Sequence, residues 1–145
     1  MAQNTIPEEL REQDPENEFE TLGGGFAFPF KITEGGSAKV TIGKDNVKSC
    51  VFHISTYRRQ ELYGTPSFGS NIPALMFSVF SIDKLTLHES WMKEAIDVWE
   101  ERAVQVRVTA GKATNSTEDT KVLMLINYGI QSTGENEFIK FEVEE

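Results

Sequence analysis

Three blocks at the end of the chain limit its fold more than any other feature. Ala103 to Ala110 sets Val104, Val106 and Val108 against Gln105, Arg107 and Thr109. Phe138 to Val143 sets Ile139, Phe141 and Val143 against Lys140, Glu142 and the following Glu144. A two-residue period sorts side chains onto opposite faces of a strand. Between these blocks, Lys121 to Ile130 carries an unbroken apolar run from Val122 to Ile126. Such a run predicts a central strand covered on both faces. The connections around Gly111 to Asp119 and Gln131 to Asn136 are polar and contain glycine, as hairpin loops do. The expected C-terminal unit is a three-stranded antiparallel β-meander.

A sheet of this kind needs a cover, and two upstream segments have helical spacing. Val47, Cys50, Val51 and Ile54 recur on one face, predicting a helix from Val47 to about Arg59 with Asp45 or Asn46 as N-cap. Thr86-Leu87-His88-Glu89 matches a capping box. The helix it would open carries Trp91, Met92, Ala95, Ile96 and Trp99 in one stripe and should end near Glu101. Glu89 and Lys93 form an i,i+4 pair in the favourable order. Between the helices, Glu61 to Phe80 is apolar but punctuated by Gly64, Pro66, Gly69 and Pro73. This reads as an ordered loop, with a short helix at Ile72 to Phe77.

At the other end, Phe26, Phe28, Phe30 and Ile32 alternate in a strand that Pro29 confines to an edge. Gly35-Gly36 turns it into a second strand at Lys39 to Ile42. Residues 1–25 read as an acidic arm ending in a glycine hinge, Gly23 to Gly25, with one helical turn at Glu8 to Gln13. The expected organisation is that arm, then one α+β domain over 26–145. Two main helices pack on a mainly antiparallel sheet.

The 145 residues carry a formal net charge of −9. Phosphate backbones and anionic lipid surfaces are repelled by such a chain, so no nucleic-acid or membrane partner is expected. No secretory leader is legible at Met1 to Asn4, and no apolar run is long enough to cross a bilayer. Synthesis in a reducing cytoplasm is the expectation. The single cysteine, Cys50, lies in an apolar run and reads as a buried, inert thiol. His88 reads as solvated and His53 as a helix-face residue. Two histidines and one cysteine without ligand spacing give no metal site, and no phosphate loop or nucleophile elbow is present. No cofactor is implied.

Carboxylate pairs are the one enzymatic pattern to weigh, because glycoside hydrolysis uses two across a cleft. Glu61, Glu100 and Glu101 border the punctuated segment. With 23 acidic residues in the chain, such a pairing carries little weight, and the chain reads as non-enzymatic. Glu100 and Glu101 nevertheless sit at a helix C-terminus, where the macrodipole disfavours negative charge by about 0.3–1 kcal/mol each. Glu100 is either solvated there or has a fixed basic partner: Arg102, Arg58, Arg59 or a group on another chain.

Several of these elements together resemble the baseplate wedge proteins of contractile phage tails and the short sheath-initiating baseplate component of type VI secretion. Pro66-Ser67-Phe68-Gly69-Ser70 resembles that family's Pro-x-Phe-Gly-Ser segment. Leu75-Met76-Phe77 resembles its Leu-x-Phe, and Trp99-Glu100-Glu101-Arg102 before Val104-Gln105-Val106 resembles its Trp-Glu-Pro-Arg and valine-rich strand. Gln60-Glu61-Leu62 aligns with a Gly-Glu-Arg element and keeps only the acid. Glu101 stands where the family has proline, and Leu62 where it has arginine. The likeness in element order runs from about Phe26 to Val143.

The resemblance implies a structural role in a virion tail baseplate assembled in the host cytoplasm. Glu61, Phe68, Gly69, Glu100 and Arg102 would bind the wedge core. The last strand, through Phe138, Ile139, Lys140, Phe141 and Val143, would face the tail sheath and nucleate it. Implied partners are other wedge proteins and the sheath protein, with tube and hub proteins as further candidates. A type VI baseplate component, a tail-borne peptidoglycan hydrolase and a generic acidic adaptor are the alternatives.

Overall fold

The computed structural model describes residues 18–75, 81–112 and 121–144. The chain divides into two units, residues 1–49 and 50–145, each described by itself. The helical turn expected at Glu8 to Gln13 lies outside the described residues.

In the first unit, helix α1 (Glu18–Leu22) precedes strand β1 (Gly24–Phe26), which pairs antiparallel with β2 (Val40–Ile42). The expected glycine hinge is therefore a strand: Gly24 faces Ile42 and Gly25 faces Thr41. A Cβ at Gly25 would lie 2.6 Å from Asn46 Oδ1, so a side chain has no room there. The aromatic strand expected over Phe26 to Ile32 ends at its first residue. Pro29 has no N–H to give a ladder, and pairing resumes only as the isolated bridge Ile32 to Ala38. Phe26, Phe28, Phe30 and Ile32 are all exposed.

Helix α2 spans Gly43–Thr56. It starts four residues before the expected position, so Asp45 and Asn46 lie inside its first turn. The capping carboxylate is Glu18, whose Oε2 accepts from Lys44 N–H at 3.0 Å. Gly43 admits that carboxylate, because it has φ +57° and no Cβ to obstruct it.

The second unit contains helix α3 (Ile72–Leu75), helix α4 (Ile82–Trp99) and strands β3 (Ala103–Lys112), β4 (Lys121–Ile130) and β5 (Asn136–Glu144). The strands form one antiparallel sheet in the order β3-β4-β5. This is the expected meander with β4 at its centre, and the fold is α+β. Helix α4 packs on β3, and Phe52 of α2 stacks on Phe141 of β5 at 5.5 Å. Met92 and Ile96 of α4 and Val122, Met124, Ile126 and Ile130 of β4 have almost no exposed surface. Burying each such side chain contributes about 1.5–3 kcal/mol. The second face of β4, through Leu123, Leu125 and Asn127, is half-buried, so the apolar run is sealed on one side only.

Several local expectations change. Helix α4 begins at Ile82, so the Thr86 to Glu89 pattern lies in its interior and caps nothing. Thr86 Oγ1 donates to Ile82 O at 3.1 Å, one turn back. Lys93 pairs with Asp97 at i,i+4, while Glu89 accepts from the backbone N–H of Ala110. His88 is buried, with only 8% exposure. It lies edge-on to Trp91, and its Nδ1 has no hydrogen-bond partner. Of the short helix expected over Ile72 to Phe77, α3 accounts for Ile72–Leu75, and Met76 and Phe77 lie outside the described residues.

Candidate functional site

Helix α4 stops one residue before Glu100. The Glu100 N–H donates to Ile96 O at 2.9 Å, and its carbonyl accepts from Ala103 N–H at 3.1 Å. The Arg102 carbonyl in turn accepts from Gln131 N–H at 3.0 Å. The short turn joining α4 to β3 is therefore fixed at both ends, which fixes its side chains. Glu100 is 3% exposed. Its two oxygens accept from Arg102 Nε at 2.5 Å and Nη2 at 2.6 Å. A forked pair of this kind is among the stronger polar contacts. Of the partners open at the sequence level, Arg102 is the one found.

Arg102 Nη2 also donates to Cys50 Sγ at 3.4 Å. Its bond to Glu100 raises the guanidinium's pKa further above its ordinary value. Cys50 is half-buried rather than enclosed. Burial, aided by the Glu100 charge, pushes its thiol up despite Arg102. The thiolate that nucleophilic chemistry requires is thus disfavoured.

These residues line a cleft of about 470 Å³ together with His53, Phe68, Val98 and Trp99. Phe68 is the middle of an aromatic row. Its ring lies 5.8 Å from Tyr57 and 5.4 Å from Trp99, edge-on to both, and His53 meets Tyr57 at 6.2 Å. The loop holds Phe68 there through its neighbours. Trp99 Nε1 donates to Ser67 O at 3.3 Å. Buried Ser70 donates its hydroxyl to Ser55 O at 2.7 Å and its N–H to Tyr57 O at 2.8 Å. Gly69 has φ +97°, and a Cβ there would lie 2.4 Å from Tyr57 O.

The sequence-predicted site residues thus separate. Glu100, Arg102 and Phe68 share one cleft, and Gly69 supports it from behind. Glu61 lines another cleft, of about 730 Å³, with Thr56, Arg58, Arg59, Gln60 and Asn71. Its Oε2 accepts from Arg58 N–H at 2.9 Å. On β5, Ile139 and Phe141 face the core, Phe138 is exposed, and Lys140 pairs with Glu142 at 2.8 Å. Val143 pairs with Val122 in the ladder. Cys50 and Trp99 join the first cleft unpredicted. The Trp99 signal was its place next to Glu100 at a helix end, while nothing in sequence tied Cys50 to Arg102.

No protein-family model matches the chain, and no curated protein matches it in sequence. Solved structures do match. A crystal structure from Geobacter sulfurreducens, assigned as a tail lysozyme, aligns with TM-score 0.56 and 24% identity over 70% of this chain and 89% of that one. A chain of the anti-feeding prophage baseplate, seen by cryo-electron microscopy, aligns with TM-score 0.60 and 17% identity over 86% and 87%. This chain shares its fold with that baseplate chain. A chain of the type VI secretion baseplate complex aligns at TM-score 0.48 with 14% identity over 70% and 90%, too low to bear on the fold.

Proposed function

We propose that this chain is a structural subunit of a contractile-injection baseplate that binds its neighbours through the Glu100–Arg102 cleft and offers β5 to the sheath. The observation that carries this reading is the forked, buried Glu100–Arg102 pair beside a half-exposed aromatic row. It lies on a fold shared with a baseplate chain over most of both lengths. Rigid polar anchors next to aromatic surface are what protein interfaces concentrate. The partners would be other wedge proteins and the sheath protein, and the location the tail baseplate.

The same geometry favours a non-enzymatic role. Both Glu100 oxygens are held by Arg102, leaving neither placed to deliver a proton to a glycosidic oxygen. Glu61 borders a different cleft. The turbidity of a peptidoglycan suspension checks this: no clearing is expected, and lysis abolished by Glu61→Gln or Glu100→Gln would establish the hydrolase instead. The binding role is tested by co-elution with the baseplate wedge proteins. The Glu100→Ala/Arg102→Ala double variant, which leaves no lone buried charge, should lose co-elution while keeping its fold by circular dichroism. Wild-type co-elution of that variant would remove the motif from the interface.

A further inference from the structure

The two edges of the β3-β4-β5 sheet are not equivalent. In an antiparallel ladder the backbone groups of a central strand turn alternately to either neighbour. The Ala110 N–H donates to Glu89 of α4, so it points off the β3 side and the Ala110–Met124 pair is non-hydrogen-bonded. Carried across β4, that alternation turns the N–H and C=O of Phe138, Lys140 and Glu142 outward from β5, since these residues face Asn127, Leu125 and Leu123.

The β3 edge carries two obstacles to a further strand. Its register breaks between Val104 and Arg107, where Gln105 has φ +54°, and such a bulge bends and twists an edge. Farther along, Glu89 occupies an outward N–H with a carboxylate. An incoming strand would have to displace a charge-assisted bond and bring its own carbonyls against that negative charge. On β5 the outward side chains Lys140 and Glu142 pair with each other within the strand, and among the described residues the strand pairs only with β4.

We infer that Glu89 closes the β3 edge, so that strands add at β5 alone. The occupant it excludes from β3 is the β5 edge of a second copy of this chain. A molecule with both edges open would join β3 of one copy to β5 of the next, a head-to-tail contact that builds rings or open filaments. This inference rests on the reading of β5 as a strand acceptor but not on the baseplate assignment.

Sedimentation velocity over a concentration series tests it. Glu89→Ala should self-associate progressively where wild type does not, and Glu89→Gln, which keeps an acceptor oxygen, should stay close to wild type. Adding Lys140→Pro, which removes an outward N–H from β5, should return Glu89→Ala to wild-type sedimentation. Amide exchange on the wild-type chain needs no variant to fold. Ala110 should exchange about tenfold or more slowly than Phe138 and Lys140, given the strength of a bond to a charged acceptor. A monodisperse, folded Glu89→Ala, self-association that survives Lys140→Pro, or equal exchange at the three amides would each overturn the inference. Loss of wedge binding with these results intact would overturn only the baseplate role.

Discussion

Glu100 is a charge one residue past the end of α4, where the helix dipole disfavours it, yet it is buried. Arg102, two residues on, resolves this by bringing its guanidinium back over the carboxylate. The pair is an all-or-none arrangement: losing one partner strands a buried charge, while losing both does not. Arg102→Ala should therefore cost about 3–5 kcal/mol in denaturant unfolding. The Glu100→Ala/Arg102→Ala double variant should cost markedly less, and equal losses would mean the two side chains are not coupled. His88 supplies a second residue-scale expectation. Burial, and then the Lys84 charge, depress its pKa below the ordinary 6.5. Above pH 6.5 the ring is neutral in both folded and unfolded states, and the folded state bears no penalty. As pH falls below 6.5 the unfolded chain takes up a proton that the buried ring resists, so stability falls until the folded value is passed. Thermal melts from pH 7.5 downward should show this loss, and His88→Gln should abolish that part of it.

At the scale of elements, the punctuated loop is a support for one ring. Gly69 lets the chain pass against Tyr57 O, Ser70 ties it to Ser55, and Phe68 is thereby set between Tyr57 and Trp99. Gly69→Ala adds a Cβ where φ is +97° and the space is filled. It should lower stability by more than about 1 kcal/mol and change the tryptophan emission from Trp99, while an unchanged melt and spectrum would mean that the loop does not hold the row. The meander was legible in sequence because a two-residue period needs only neighbours to be read. That a carboxylate at Glu100 needs either solvent or a basic partner was legible too, because helix-end electrostatics is local, but which of the two it has was not. The starts of α2 and α4 were not. Glu18, far back in the chain, caps α2 where Asp45 or Asn46 looked sufficient. Glu89 left its pattern to bond Ala110 across a tertiary contact. The aromatic strand failed at Pro29, whose missing N–H outweighed an otherwise regular alternation. His88 and Cys50 were misplaced because burial of a single side chain depends on packing that periodicity does not encode.

At the scale of the molecule, the second unit presents two separate surfaces. One is the cleft at the end of α4, rigid because the turn from Glu100 to Arg102 is bonded to α4, to β3 and to Gln131 just past β4. The other is the β5 edge, which also buries Ile139 and stacks Phe141 on Phe52. Under the proposed function, the cleft would bind one neighbour and the β5 edge would extend the sheet to another. Intact contractile particles purified from the cells that produce this chain provide the most direct test, by labelling the particles with an antibody to the chain under electron microscopy. Label confined to the baseplate end is the predicted result, whereas label along the sheath, or particles free of the chain, would contradict the assignment.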